Sequence, residues 1–276
     1  MNSSALRNGL LLATALGLAL LYLFPLYWMY VTSLKTNSSI FAVPPEFLPG
    51  TPQWQTYSLI WGESNIVRYL ANSLFIAAGV TFVTTVVGAG AAYVLARYRN
   101  LWIDVALFTV LMLQVLPPSL MVTPIFVAFT SLGILEYPRI GTILAISAKT
   151  MPFFIILCRA AFMTIPRELE EAALVDGNSR IGAFGMVVLP LARNGILVAA
   201  LLIFMQGFGE YVYSASLIAD NRLQPASIGM TNYLQPNVVT WNAIMAFAAT
   251  YVTPILAAFV LLQRNIVSGL TSGALK

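Results

Sequence analysis

Residues 171–190 read EAALVDGNSRIGAFGMVVLP: Glu171-Ala172-Ala173, then Asp176-Gly177, then, nine residues past that glycine, Val187-Val188-Leu189-Pro190. The stretch is polar and helix-prone, yet it sits between two long apolar runs. A water-facing helical elbow in that position is a handle for a soluble partner.

Pro166 suits the first position of a helix, where its missing N–H is not needed. Glu168, Glu170 and Glu171 then crowd the early turns, where negative charge complements the helix dipole. Gly177 is expected to close this helix as a left-handed cap. Asn178 or Ser179 can cap a second helix running through Ile181, Phe184 and Val187-Val188 toward Pro190. Ala172 and Ala173 leave a shallow surface beside a carboxylate, which suits insertion into a groove with one charge-assisted contact. The competing reading is an amphipathic helix on the bilayer surface. Such helices carry lysine and arginine on the polar face, whereas three glutamates lead this one and anionic headgroups repel them.

The 276-residue chain is 59% hydrophobic and 9% charged, with a mean hydropathy of +0.83. Soluble domains carry roughly 25% charged residues, so the composition alone defines an all-α polytopic membrane protein. Histidine is absent and Cys158 is the single cysteine. Disulfides, Cys/His metal sites and histidine-based catalysis are thereby excluded, and no metal site is expected. The net charge of +4 is small and scattered, which fits membrane orientation and not nucleic-acid binding.

A spanning helix needs about 20 mostly apolar residues. Six transmembrane helices are expected, near 9–34, 69–96, 103–132, 141–164, 195–218 and 242–263. The first is too long for a signal-peptide core and reads as an uncleaved span. With the amino terminus inside, nine basic residues fall on the cytoplasmic side: Arg7, Arg97, Arg99, Arg159, Arg167, Arg180, Arg193, Arg264 and Lys276. Lys35, Arg68, Arg139 and Arg222 fall outside. The excess places both termini and the elbow, about 165–194, in the cytoplasm. The organisation that follows is a first helix with its outer loop (1–67), a five-helix core carrying the coupling helices (68–265), and a cytoplasmic tail (266–276).

The first outer loop, about 35–68, holds Pro44, Pro45, Pro49 and Pro52, then Trp54, Tyr57 and Trp61. It is either an interfacial loop in the aromatic belt or a docking surface for an extracytoplasmic partner. Gly79, Gly88, Gly90, Ala91 and Ala92 in the second span predict close packing within the bundle or against a second subunit. Pro117, Pro118 and Pro124 interrupt the third span, with Gln114, Ser119 and Thr123 beside the break; a lined cavity and a simple kink both fit. The outer loop at about 219–241 is long and polar, and reaches toward a partner or substrate or merely covers the surface. Asn37-Ser38-Ser39 matches the glycosylation pattern, a weak signal outside a eukaryotic secretory setting.

Lys149 and Glu210 fall inside expected spans, where a central charge costs about 2.5–3.5 kcal/mol and faces protein or water. They pair structurally, line a substrate path, or couple an ion gradient. Asn72, Gln114, Ser119, Tyr211 and Tyr213 could add hydroxyl or amide contacts to such a path, and such residues also serve as packing glue.

The elbow resembles the cytoplasmic signature of the membrane subunits of type I ATP-binding-cassette (ABC) importers, E-A-A-x3-G-x9-I-x-L-P. Every fixed position matches except the isoleucine, where Val187 stands. Ala91-Ala92-Tyr93 with Ala96-Arg97 is similar to the end of the second span in carbohydrate-importer permeases. Gln263-Arg264 and Val267-Ser268-Gly269-Leu270-Thr271-Ser272-Gly273 resemble the tail of maltose-type permeases. The run from Gly229-Met230 to Gln235-Pro236 is similar to their outer loop near the binding protein. Related sugar permeases often carry Trp-Asn before an acidic or amide residue in the fifth span; here Phe208-Gly209 precede Glu210.

The resemblance implies the type I ABC importer permease fold and a half-channel of the carbohydrate-importing (maltose, trehalose, glycerol-phosphate) kind, in the bacterial or archaeal cytoplasmic membrane. It implies pairing with a second permease subunit in a heterodimer, two ABC ATPase subunits and an extracytoplasmic sugar-binding protein. Glu170, Glu171, Ala172, Ala173, Asp176, Gly177, Leu189 and Pro190 would engage the ATPase. Thr231, Asn232, Tyr233 and Gln235 would meet the binding protein. The chain has no Gly-x-x-x-x-Gly-Lys-Ser/Thr loop, so no cofactor is expected in it and ATP and magnesium belong to the partner ATPase. The rival reading is a self-sufficient ion-gradient-driven secondary carrier with Lys149 and Glu210 as coupling groups, weakened by the absence of an evident inverted repeat. A membrane-embedded enzyme lacks any nucleophile–base or metal constellation.

Overall fold

The computed structural model describes residues 3–63, 65–98, 100–235 and 238–274, with side chains over 7–62, 65–98, 100–112, 114–231 and 240–261. In chain order its helices are α1 (Ser3–Ser33), α2 (Asn37–Ile40), α3 (Gln55–Glu63), α4 (Ile66–Arg97), α5 (Leu101–Leu113), α6 (Pro118–Ser131), α7 (Pro138–Met163), α8 (Glu168–Val175), α9 (Arg180–Ala183), α10 (Leu189–Phe208), α11 (Val212–Leu217), α12 (Ala226–Gly229) and α13 (Trp241–Ala274). Short 3-10 turns precede α7 and follow α12, and a two-residue antiparallel ladder, Leu234–Gln235 with Val238–Val239, precedes α13. The protein is an all-α membrane bundle.

Among the described residues, five helices are long and apolar enough to cross a membrane: Arg7–Ser33, Ile66–Arg97, Pro138–Met163, Arg180–Phe208 and Trp241–Leu261. The sixth crossing, expected as one helix at 103–132, is instead two helices, α5 and α6, separated at Gln114–Pro117. Pro118 has no N–H to give, and the residue before a proline is pushed out of helical geometry, so the break falls at the proline pair. Pro124 stays inside α6. The fifth span also differs from the expected 195–218. It runs from Arg180 to Phe208, so the second half of the elbow is continuous with it, and Glu210 lies beyond its end.

The chain divides into two compact units, one formed by the residues up to Val67 with Gly229–Pro254, the other by Arg68–Ile228 with the chain from Ile255. In the first, the apolar side chains of α1 from Leu10 to Phe24 are exposed, as befits a helix meant for lipid, while Val31, Thr32 and Ser33 at its end are buried. Lys35 is fully buried. Its ammonium lies 4.2 Å from the Trp28 ring centroid and donates to the Glu46 carbonyl. Tyr27 donates to the Phe47 carbonyl, and the Ser33 and Tyr57 hydroxyls share a hydrogen bond of 2.7 Å. The proline-rich outer loop is therefore tied down onto the end of α1. Trp54 and Trp61 remain exposed.

In the second unit α7 is the hub. Its buried residues include Thr142, Ile146, Thr150, Phe154, Cys158 and Phe162, at helical spacing along one stripe. Lipid supplies no hydrophobic drive for helix association, so such contacts rely on close approach and on polar glue. The Thr84 and Thr150 hydroxyls meet at 3.4 Å between α4 and α7. A Cβ on Gly79 would fall 2.5 Å from Ile143 Cδ1, and one on Gly88 would fall 2.5 Å from Phe154 Cδ1. The small residues of the second span thus serve packing within the chain at Gly79 and Gly88, whereas Gly90 has nothing within 4 Å.

Gly195 on α10 leaves its neighbour no room to adjust, because its added Cβ would sit 2.5 Å from the Cβ of Ala161 on α7, an atom with no rotamer to change. Gly195→Val should force the two helices apart and cost about 1–3 kcal/mol. Gly90→Ala, inside α4 with open space for its methyl, should instead raise stability by about 0.5–1 kcal/mol. Thermal midpoints of the purified proteins in detergent check both.

Candidate functional site: the elbow between the fourth and fifth spans

Four residues after α7 ends at Met163, the chain turns into α8, whose first turn carries Glu168, Glu170 and Glu171. Pro166 lies two residues before the first helical residue, not at it. Gly177 has φ +86°, Asn178 N–H donates to the Ala173 carbonyl at 3.0 Å, and Gly177 N–H donates to the Leu174 carbonyl at 3.1 Å. This is a Schellman closure, and glycine supplies the left-handed residue without Cβ strain. Ser179 then caps α9, its Oγ accepting from Gly182 N–H at 3.0 Å. Residues Phe184–Val188 form one wide π turn leading straight into α10. Pro190, at the start of α10, would clash with the carbonyl four residues back in a tight α turn. The widened turn relieves that conflict.

The adjacent glutamates point in different directions. Glu171, Ala172, Asp176, Gly177 and Pro190 are exposed, and Ala173 and Leu189 are half-buried. Beside them Val175, Ile181 and Met186 are 87%, 82% and 71% exposed. Three large apolar side chains thus stand in the open beside the exposed carboxylates of Glu171 and Asp176, on a segment whose central bend is capped on both sides. Glu170 is turned inward and buried. It pairs with Arg97, and Tyr93 Oη donates to its other oxygen at 2.7 Å. A cleft of about 530 Å³ lies between the end of α4 and the elbow, lined among others by Tyr93, Arg97, Arg167, Glu171, Arg180 and Phe184. Tyr93, Arg167 and Phe184 were not singled out by the sequence as site residues. The i, i+4 spacing of Tyr93 and Arg97 at the end of a span was the available signal.

The seven residues considered for a substrate path do not share one environment. Gln114, Ser119, Lys149 and Tyr211 are exposed, while Asn72, Glu210 and Tyr213 are buried. Gln114 Nε2 donates to the Lys149 carbonyl at 3.1 Å, from the end of α5 to the middle of α7. The Lys149 ammonium stands 5.9 Å from the Tyr213 ring centroid. Asn72 donates to the Arg222 and Gln224 carbonyls at 2.9 and 3.0 Å and accepts from Arg139 at 3.2 Å, tying the last outer loop to α4. Glu210 accepts from the N–H groups of Tyr213 and Ser214 at 3.0 and 3.1 Å, at the start of α11. Lys149 and Glu210 do not form an ion pair with each other. Of the outer-loop residues, Thr231 is half-buried at the 3-10 turn Met230–Tyr233, and the side chains of Asn232, Tyr233 and Gln235 lie outside the described residues.

Five membrane-length apolar helices among the described residues, with two shorter apolar helices between them, define a multi-pass membrane protein. The profile of the family described as binding-protein-dependent transport system inner membrane component matches residues 84–272, and the chain belongs to that family. It is 30% identical to the sulfoquinovosyl glycerol transport system permease protein of Agrobacterium fabrum, over 92% of this chain and 89% of that one. To the trehalose/maltose transport system permease protein of Thermococcus litoralis it is 30% identical, over 100% and 99%. The trehalose transport system permease protein of Mycobacterium tuberculosis shares 31%, over 92% of each. The fold matches a chain of a bacterial ABC transporter involved in the import of the acidic polysaccharide alginate, with a TM-score of 0.74 and 21% identity, over 96% of this chain and 98% of that one.

Membership makes the chain a permease subunit and not an enzyme; ATP hydrolysis lies in separate subunits. The transport system also comprises a substrate-binding protein, an ATPase and a second permease. The ion-gradient-driven carrier considered from sequence is not supported, and Glu210, one of its two coupling groups, is occupied as a helix cap.

Proposed function

We propose that this chain forms one half of the translocation pathway of an ATP-driven importer for a sugar or glycoside, in a bacterial or archaeal cytoplasmic membrane. A different permease subunit forms the other half. Two ATPase subunits, using ATP and magnesium, grip the two elbows, and an extracytoplasmic binding protein delivers the substrate to the outer loops. The observation that carries the reading is the exposed Glu171-Ala172 pair, with Ala173 half-buried beside it, on an elbow capped on both sides of its bend. Glu171 meets a basic residue of the ATPase, the two alanines and the half-buried Leu189 seat against its groove, and Gly177 and Pro190 hold the bend. Asp176 adds a second exposed acid. The names of the relatives, for trehalose, maltose and sulfoquinovosyl glycerol, support a glycosidic substrate. Gln114, Ser119, Lys149 and Tyr211, exposed in a single chain, face the path completed by the second subunit.

Reconstitution tests the proposal. The chain with its sister permease, ATPase and binding protein in vesicles is expected to accumulate sugar only when ATP is present on the elbow side. The chain reconstituted alone should accumulate none, even under an imposed proton or sodium gradient. Uphill uptake without an ATPase would overturn the reading.

A further inference from the structure

Ala91-Ala92-Tyr93 and Ala96-Arg97 close α4, and their two polar side chains converge on one carboxylate. The Arg97 guanidinium pairs with Glu170 Oε1 and also donates to the Phe162 carbonyl at 3.1 Å, in the last turn of α7. Tyr93 Oη takes Glu170 Oε2 at 2.7 Å. Arg167, just before α8, donates back to the carbonyl of Arg97 itself. Around this knot the Tyr93 ring lies 4.5 Å from Phe184 and 6.0 Å from Phe162, so the second half of the elbow is packed into it as well. The Arg97 and Glu170 side chains are 13% and 12% exposed. At that burial each charge depends on the other.

The location gives the knot a mechanical meaning. Helix α8 is joined to the rest of the chain by two bends, Thr164–Arg167 on one side and Asp176–Ser179 on the other. Left to those bends alone, α8 could swing when pulled, and the pull would be absorbed. Glu170 is the side chain of α8 that is fastened at once to the ends of α4 and, through Arg97, of α7.

We propose that Glu170 is a positioning residue of the transport cycle. Its carboxylate, held by Arg97 and Tyr93, transmits displacement of the elbow to the second and fourth spans, and it does not contact the ATPase. The inference rests on the importer reading above and assigns different work to two neighbouring acids. Glu171 receives the pull; Glu170 passes it on.

The test uses the full complex in vesicles and reads substrate accumulated per ATP hydrolysed. Glu170→Gln keeps the shape and the tyrosine contact but removes the charge that holds Arg97. Hydrolysis should remain stimulated by the binding protein, while substrate moved per ATP falls about tenfold. Exchanging the charges, Arg97→Glu with Glu170→Arg, should recover most of that loss. A merely structural role would lower the yield of complex and leave the ratio in the assembled fraction unchanged, which would overturn the proposal. Loss of stimulated hydrolysis in Glu170→Gln, as expected for a residue touching the ATPase, would overturn it too. If that variant does not assemble, Tyr93→Phe, which removes one hydrogen bond, is measured in the same way. A fall of about threefold supports the proposal and an unchanged ratio refutes it. A wild-type complex with no stimulated hydrolysis would instead overturn the importer reading.

Discussion

Glu171→Lys is expected to abolish binding-protein-stimulated ATP hydrolysis in a chain that still folds and inserts. The side chain is exposed, so its replacement disturbs no contact within the protein, and surface substitutions of that kind cost within about 0.5 kcal/mol. On the proposed reading, the ATPase covers the same carboxylate in the assembled importer. Leaving one member of a buried ion pair without its partner costs about 3–5 kcal/mol, and a lysine adds repulsion. At about 1.4 kcal/mol per factor of ten, docking should weaken at least roughly a hundredfold. Co-purification with the ATPase and hydrolysis assays read this directly. Stimulated hydrolysis equal to wild type would remove Glu171 from the coupling interface.

Glu210→Ala should produce the largest loss of stability. Its carboxylate is buried and accepts three hydrogen bonds, from the N–H groups of Tyr213 and Ser214 and, at 3.4 Å, from the Ser214 hydroxyl. Its own carbonyl receives the Ser227 hydroxyl at 2.8 Å. Alanine would strand two buried backbone donors, each worth about 1–3 kcal/mol, for a total of roughly 2–6 kcal/mol. Glutamine keeps one acceptor oxygen and should lose about half as much. Thermal unfolding of the purified complex distinguishes this from a substrate contact. A substrate contact predicts a changed apparent affinity for sugar in a protein of normal stability.

The parts of the fold that could be read ahead were those fixed by local chemistry. Asp176-Gly177 announces a left-handed helix end because only the backbone around it matters, and Gly177 takes φ +86°. Pro117-Pro118 announces a break for the same reason. The fifth span was misplaced because hydropathy tracks composition alone. The apolar run continues through Phe208 to Leu217, but the helix stops where Glu210 can turn its carboxylate onto the amides of Tyr213 and Ser214. On the upstream side, a second elbow helix was expected from Ile181 toward Pro190, but its polar residues Arg180 and Arg193 hid that it runs on into the fifth span.

The site was half legible. The spacing from Glu171 to Pro190 identifies the elbow, but it cannot separate Glu170 from Glu171. Those two differ by about 100° around a helix, and which one faces inward depends on where α4 lies. Arg97 entered the sequence reading as a topology-setting charge and a motif residue. Its partner is 73 residues away, and nothing local points to it. The partners of Asn72, the carbonyls of Arg222 and Gln224, are likewise about 150 residues away and not legible locally.

On the proposed reading, the wide turn at Phe184–Val188 sets the angle at which the elbow's pull enters the fifth span. One surplus residue in a helix advances everything beyond it by about 100°. The exposed Ile181 and the residues of α10 are therefore set in a phase that a regular helix would not give. The register between the elbow and the fifth span is written into the backbone itself.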